Sequence, residues 1–388
     1  MIYLDNAATT QIDPEILKAT CDVMSRNYGN PNAQYKLGRE AHDIIEIARE
    51  SVANLIRCRA DNVVFTSGGA EGNSTVIAGL RKRLRRSGKT RILVSAGEHD
   101  SVVRAMESMR DDEFEVLEVK LEPDGCVSMQ DLDSKLDNHT GLVSIMCVNN
   151  ETGAINPVEQ IGQMCRERGA FFHTDCVQAI GTVDIDVDKI WCDFLTASGH
   201  KIHGLKGSGF LYARALDVLE PIVFGGAEQE FGQRGGTQNV PAIFALGLAC
   251  KAVAQEGKAE LLRITQMKQD FYTRLMSRLE EYELEHLIHV NGNSNLVPGK
   301  ILNFRIDGID AQTMVLYVDT LGVCISAGSA CRSLETYPSR VLTAMGLTEE
   351  EAKSSVRVSF SRLNTEDEAL AAADIMADAI KNMREFWR

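Results

Sequence analysis

Residues 194–201 read Phe194-Leu195-Thr196-Ala197-Ser198-Gly199-His200-Lys201. A short apolar run ends in a serine, a glycine, a histidine and a lysine. The run has the length and composition of a buried strand. The lysine therefore arrives at a strand end, beside a glycine, and not on a solvated helix face. A crowded or buried lysine loses its proton readily, and its amine can then bond to a carbonyl carbon.

Outward from this stretch the same arrangement recurs. Short apolar runs at 62–66, 91–95, 142–148, 171–174 and 209–212 are separated by segments of helical length. That alternation predicts an α/β fold with a largely parallel sheet covered by helices. Polar groups follow the runs: Gly68-Gly69-Ala70-Glu71-Gly72-Asn73 after the first, and Gly97-Glu98-His99 after the second. Asn149-Asn150-Glu151 and His173-Thr174-Asp175, with Gln178 close behind, follow two more. Ligands on such sheets sit beyond the carboxyl ends of the strands, so five strand ends predict one assembled site.

The chemistry of these groups points to a phosphorylated pyridine cofactor, pyridoxal phosphate. Lys201 would hold it, and Asp175 would face its ring nitrogen. Gly68-Gly69-Ala70 leading into a helix offers backbone N–H groups to the phosphate. Ser198, His200 and Thr237 add side-chain donors, and His99 offers a plane to lie against the ring. Each residue alone has a plainer reading: a solvated lysine, a tight glycine turn, a structural histidine, a helix-capping aspartate. Their joint arrangement is what carries the case.

From about residue 260 the pattern changes. A charged helical stretch at 260–283 precedes strand-like runs at 300–305 and 355–360 and a closing helix at 366–386. These predict a smaller α+β domain made of residues 1–12 and 259–388, beside a large domain at 13–258. At 388 residues the chain is long enough for both. Its net charge of −14 argues against direct nucleic-acid binding, which needs a basic face. The apolar stretch 242–250 is too short to span a membrane. No secretory leader is evident, so the ten cysteines are expected to be thiols in a cytoplasmic setting. No metal is expected: no C-x-x-C pair occurs, and the His-x-x-His pairs at 200/203 and 286/289 lack further ligands.

The chain resembles the NifS/IscS group of cysteine desulfurases, within the class-V aminotransferases, which share the fold type I of pyridoxal-phosphate-dependent transferases. The resemblance rests on Leu4-Asp5-Asn6-Ala7-Ala8-Thr9-Thr10, His173-Thr174-Asp175-Cys176-Val177-Gln178, Ser198-Gly199-His200-Lys201, the segment 229–237, Ser326-Ala327-Gly328-Ser329-Ala330-Cys331 and Ser355-Val356-Arg357-Val358-Ser359. It implies that Lys201 carries the cofactor, that Asp175 pairs with its ring nitrogen and that His99 stacks on the ring. Gln178 and Asn150 would touch the ring hydroxyl side. Gly69, Ala70, Ser198 and His200 would bind the phosphate, with Thr237 reaching over from the partner subunit of a homodimer. Asn6, Asn150 and Arg357 would bind the substrate, Arg357 gripping its carboxylate.

Cys331 lies among small residues that read as a loop, where a thiolate can reach a substrate and carry sulfur outward. The implied reaction converts L-cysteine to L-alanine and leaves a persulfide on Cys331. An acceptor protein, an iron–sulfur scaffold or a tRNA-thiolation enzyme, would take the sulfur, with His99 shuttling protons. Two departures from the family pattern stand out: Ala70 replaces a hydroxyl-bearing residue, and Tyr35 replaces a histidine. Little sequence follows Trp387 to dock a scaffold. Alternatives are a selenocysteine lyase, another class-V enzyme, or a non-catalytic sulfur-transfer partner.

Overall fold

The computed structural model describes residues 1–110, 113–226, 228–328 and 338–386. A seven-stranded sheet runs in the order Val63–Thr66, Gly209–Ala213, Phe194–Ser198, Phe171–Asp175, Thr140–Ser144, Arg91–Ser95, Glu115–Val119. Gly209–Ala213 is antiparallel to both neighbours, and the other pairs are parallel. Every residue of Thr140–Ser144, Phe194–Ser198 and Gly209–Ala213 is buried. Helices cover both faces of such a sheet, which is why these strands read as continuous apolar runs. The fold is the mainly parallel α/β arrangement that the sequence predicts. Glu115–Val119 is absent from the predicted runs because it is an edge strand whose charged residues interrupt the apolar pattern.

One helix of 42 residues, Val240–Glu281, spans the predicted domain division at residue 258. Asn239 caps it, its side chain accepting from the Ala242 N–H. The first turns bury Val240, Ile243, Leu246 and Cys250 in the core of the large sheet. The last turns bury Met267, Phe271, Leu275 and Leu279 in a second core. The stretches 242–250 and 260–283 are thus one continuous helix, and Gly257 does not break it. A glycine inside a helix costs only about 1 kcal/mol, which packing at both ends offsets.

The second core lies on a four-stranded antiparallel sheet, ordered Ser326–Ala327, Ser355–Ser359, Ile301–Ile306, Ile288–Val290. Helices Ala311–Thr320 and Glu366–Phe386 pack Met314, Val318, Met376 and Ile380 into it. Ile2–Tyr3 pairs with Val323–Cys324, so the chain starts on this second core. It then crosses to the first, where the Thr10 N–H donates to the His200 carbonyl at 2.9 Å. Residues 5–10 therefore bridge the two cores at the strand end that carries Lys201.

Candidate active site

A cleft of about 510 Å³ opens at the carboxyl ends of the central strands. Its lining includes Ala7 and Ala8 from the bridging segment, residues from five strand ends, and Arg357 from the small sheet. Lys201 enters on the short turn Gly199–Lys201. Gly199 is required there, since a Cβ would lie 2.6 Å from Ser208 Oγ. The Lys201 ammonium donates to the carbonyls of Ala7 at 2.6 Å and Ala8 at 2.7 Å.

Asp175 is buried at the end of its strand. Its carboxylate accepts from the Val177 N–H at 2.9 Å and from Asn73 Nδ2 at 2.8 Å. The same Asn73 amide donates to Ser101 Oγ at 2.9 Å. Ser101 in turn meets His99, with Oγ 2.8 Å from Nδ1 and the backbone N–H donating to Nδ1 at 3.1 Å. His99 is the N-cap of helix Asp100–Glu107 and borders the cleft.

The N-terminus of helix Gly69–Ser87 also faces the cleft, through Gly68, Gly69, Ala70 and Glu71. Gly68 has φ of 149°, and no side chain caps this end. A Cβ on Gly69 would lie 2.8 Å from the Val177 side chain, so the close approach needs glycine. Ser198 and His200 border the same region. Burial, aided by Lys201, Lys206 and Lys300, lowers the His200 imidazole to about 4, which keeps it neutral at ordinary pH. Gln178 donates to the Ala7 carbonyl at 2.8 Å, while its Oε1 is buried without a hydrogen-bond partner.

Arg357 is fully buried. It donates to the Asn150 carbonyl at 2.7 Å and to Asp5 at 2.8 Å. Its Nε is buried without a partner. Behind Lys201 stands Lys300, whose ammonium burial, with Lys201 and Arg357, lowers to about 7.

The structure thus gathers Lys201, Asp175, His99, Gly69, Ala70, Asn150, Gln178, Ser198, His200 and Arg357 around one cleft. Two predicted residues stand elsewhere. Asn6 is buried away from the cleft lining, its amide donating to the Tyr3 and Ser359 carbonyls and to Asn364. It knits the bridging segment to the small domain, because its amide hydrogens are spent there. Thr237 is exposed and does not line the cleft of its own chain. Cys331 lies outside the described residues. Before it, Ser326 is the register partner of Arg357, and after it the Ser339 hydroxyl donates to Glu151.

Sequence reasoning missed Asn73, Ser101 and Asp5. Asn73 offers a signal: it is a polar residue four positions after Gly69, on the buried face of its helix. Ser101 and Asp5 carry none, because their partners are distant in sequence or set by a turn.

These groups fit pyridoxal phosphate. Lys201 supplies an amine, Asp175 an anion and the uncapped helix a phosphate cradle, while the orphaned Gln178 oxygen awaits a donor. Among the described residues no group of His, Cys, Asp and Glu side chains is arranged to hold a metal ion. Nor, among them, is any helix long and apolar enough to cross a membrane.

Comparison with known proteins places this geometry. Residues 2–371 match the family model for aminotransferase class-V. The cysteine desulfurase IscS of Rickettsia conorii is 34% identical over 387 residues, covering 99% of this chain and 92% of that protein. The cysteine desulfurase of Trichormus azollae is 36% identical over 387 residues, covering 99% and 94%. A solved NifS-like protein superposes with a TM-score of 0.87 at 28% identity, covering 99% of both chains.

Proposed function

The chain belongs to the class-V aminotransferase family and is a pyridoxal-phosphate-dependent cysteine desulfurase, and from that premise we propose how its own residues divide the work. When bound, pyridoxal phosphate supplies an electron sink that weakens bonds next to the substrate α-carbon. Lys201, Asp175, Gly69, Ala70, Gln178, Ser198 and His200 hold it, with Asn150 and His99 against the ring. The observation that carries this reading is the Lys201 amine, held by the Ala7 and Ala8 carbonyls in the same cleft as the Asp175 carboxylate.

Arg357 takes the substrate carboxylate, since its guanidinium is aligned by Asp5 and Asn150 and retains an unspent buried N–H. Lys201 removes the α-proton. The Cys331 thiolate attacks the substrate sulfur, so the carbon–sulfur bond breaks as the sulfur–sulfur bond forms. The electron pair of the broken bond passes to the substrate β-carbon, which takes a proton to become the methyl group of alanine, and Lys201 returns a proton to the α-carbon. Cys331 is left as a persulfide for an acceptor protein, an iron–sulfur scaffold or a thiolation enzyme.

Thr237 serves a neighbouring cleft in a homodimer. Exposed Phe224, Phe231, Tyr28 and Tyr35 support such an interface. The residues divide into a large domain at 13–258 and a small one at 1–12 and 259–388, a reading supported by two separate buried cores. The described cysteines are unpaired, which supports a reducing, cytoplasmic setting.

The test is alanine release from L-cysteine in the presence of a reductant. The wild type forms alanine, and Cys331→Ser forms none while keeping its yellow cofactor. Alanine release by Cys331→Ser at the wild-type rate would refute the persulfide assignment.

A further inference from the structure

Asn73 is fully buried on helix Gly69–Ser87, and nothing in the reaction uses it directly. Its Nδ2 contacts Asp175 Oδ2 at 2.8 Å and Ser101 Oγ at 2.9 Å. Its Oδ1 is buried without a partner. Leaving a buried carbonyl oxygen unpaired costs about 1–3 kcal/mol, yet the reverse orientation is worse. It would set that oxygen against the Asp175 carboxylate. The amide hydrogens therefore point at Asp175 and Ser101.

The direction of the next bond follows. Ser101 Oγ accepts from Asn73, so its own hydrogen is available to His99 Nδ1, 2.8 Å away. The backbone N–H of Ser101 donates to the same nitrogen at 3.1 Å. A backbone N–H can only donate, so Nδ1 is an acceptor. A proton on Nδ1 would face that N–H head-on. The imidazole then carries its hydrogen on Nε2.

From this geometry we infer that Ser101, itself oriented by Asn73, is a positioning residue that keeps His99 Nδ1 an acceptor and directs the ring hydrogen to Nε2, so that His99 presents a fixed plane and a hydrogen-bond donor to the cleft. The inference rests on the desulfurase reading for its functional consequence, and on the protein's own hydrogen bonds for the tautomer. The chain of contacts also joins His99 to Asp175, so the group over the ring and the group at its nitrogen are aligned by one asparagine.

The test uses the full-length protein labelled with 15N-histidine. Long-range proton–nitrogen correlation spectra are recorded at pH 8, with cofactor and without, and His99→Gln assigns the signal among the eight histidines. The wild type shows His99 with hydrogen on Nε2 in both states. Ser101→Ala keeps the backbone donor but loses the hydroxyl hydrogen bond to Nδ1, which shifts the Nδ1 nitrogen signal and lowers kcat for alanine release about tenfold, the equivalent of one hydrogen bond. KM stays within about twofold, since Ser101 acts through His99 and makes no hydrogen bond to Arg357. Ser101→Thr restores both readouts. A wild-type His99 protonated on Nδ1, or on both nitrogens, overturns the inference. So does a Ser101→Ala protein with an unchanged spectrum or an unchanged kcat. If the wild type releases no alanine, the desulfurase reading fails, and the spectrum alone decides the tautomer.

Discussion

The guanidinium of Arg357 donates to the carboxylate of Asp5 at 2.8 Å, joining the small antiparallel sheet to the segment that crosses over Lys201. A fully buried arginine keeps its orientation only if its hydrogens are spoken for. Arg357→Lys loses the planar fork and raises KM for L-cysteine roughly 10- to 100-fold, the equivalent of one charge-assisted hydrogen bond. Asp5→Asn keeps a weaker acceptor, so its KM rises less, with kcat nearly unchanged. Steady-state alanine release distinguishes the two.

Ala70 offers the cofactor phosphate no hydroxyl at the uncapped helix N-terminus. Ala70→Thr adds one. Cofactor retention, followed by loss of absorbance on dialysis, should improve about tenfold, in line with a hydrogen bond to a charged group. Gly69→Ala acts the other way, because its Cβ would press on Val177 at 2.8 Å.

Arg49 and Glu230 form an ion pair at 2.8 Å with almost no exposure on either side. Arg49 lies between the rings of Phe65 and Phe231, at 4.7 and 4.9 Å. Glu230 and Phe231 both have positive φ, so the pair holds a strained turn just before Thr237. Glu230→Ala removes the buried partner of this guanidinium, leaving it the more exposed Glu46 at 3.2 Å, and lowers stability by about 3 kcal/mol. Urea unfolding with matched cofactor content measures it.

Burial holds His173 and His203 at about 4, against an ordinary 6.5. Between those values the unfolded chain binds protons that the native protein refuses. Stability therefore falls as pH drops from about 6.5 towards 4, and it is regained on returning to neutrality. His173→Asn, which keeps partners for Ser144 and Thr196, flattens that slope in cofactor-free protein. A slope identical to wild type would contradict it.

Much of this protein is legible in its sequence. Buried strands such as Phe194–Ser198 announce themselves as continuous apolar runs, and Lys201, His99, Asp175 and the glycine turn fall just after such runs. Backbone connectivity alone therefore delivers Lys201, Asp175, His99 and the glycine turn to one edge of a parallel sheet. Composition and local pattern determined the fold class and most of the cleft.

What the tertiary structure decided depends on distance in the chain. Asn6, which the resemblance implies for substrate binding, has its amide hydrogens directed at Tyr3, Ser359 and Asn364, which no local pattern announces. Asp5 meets Arg357 across 352 residues, and Asn73 meets Asp175 across 102. The helix Val240–Glu281 spans both cores because each of its ends has an apolar face to bury. Sequence determined which chemistry each strand end carries, because that is local and periodic. Orientation was left to packing, since a hydrogen bond is directional and its partner is chosen only when the chain has folded.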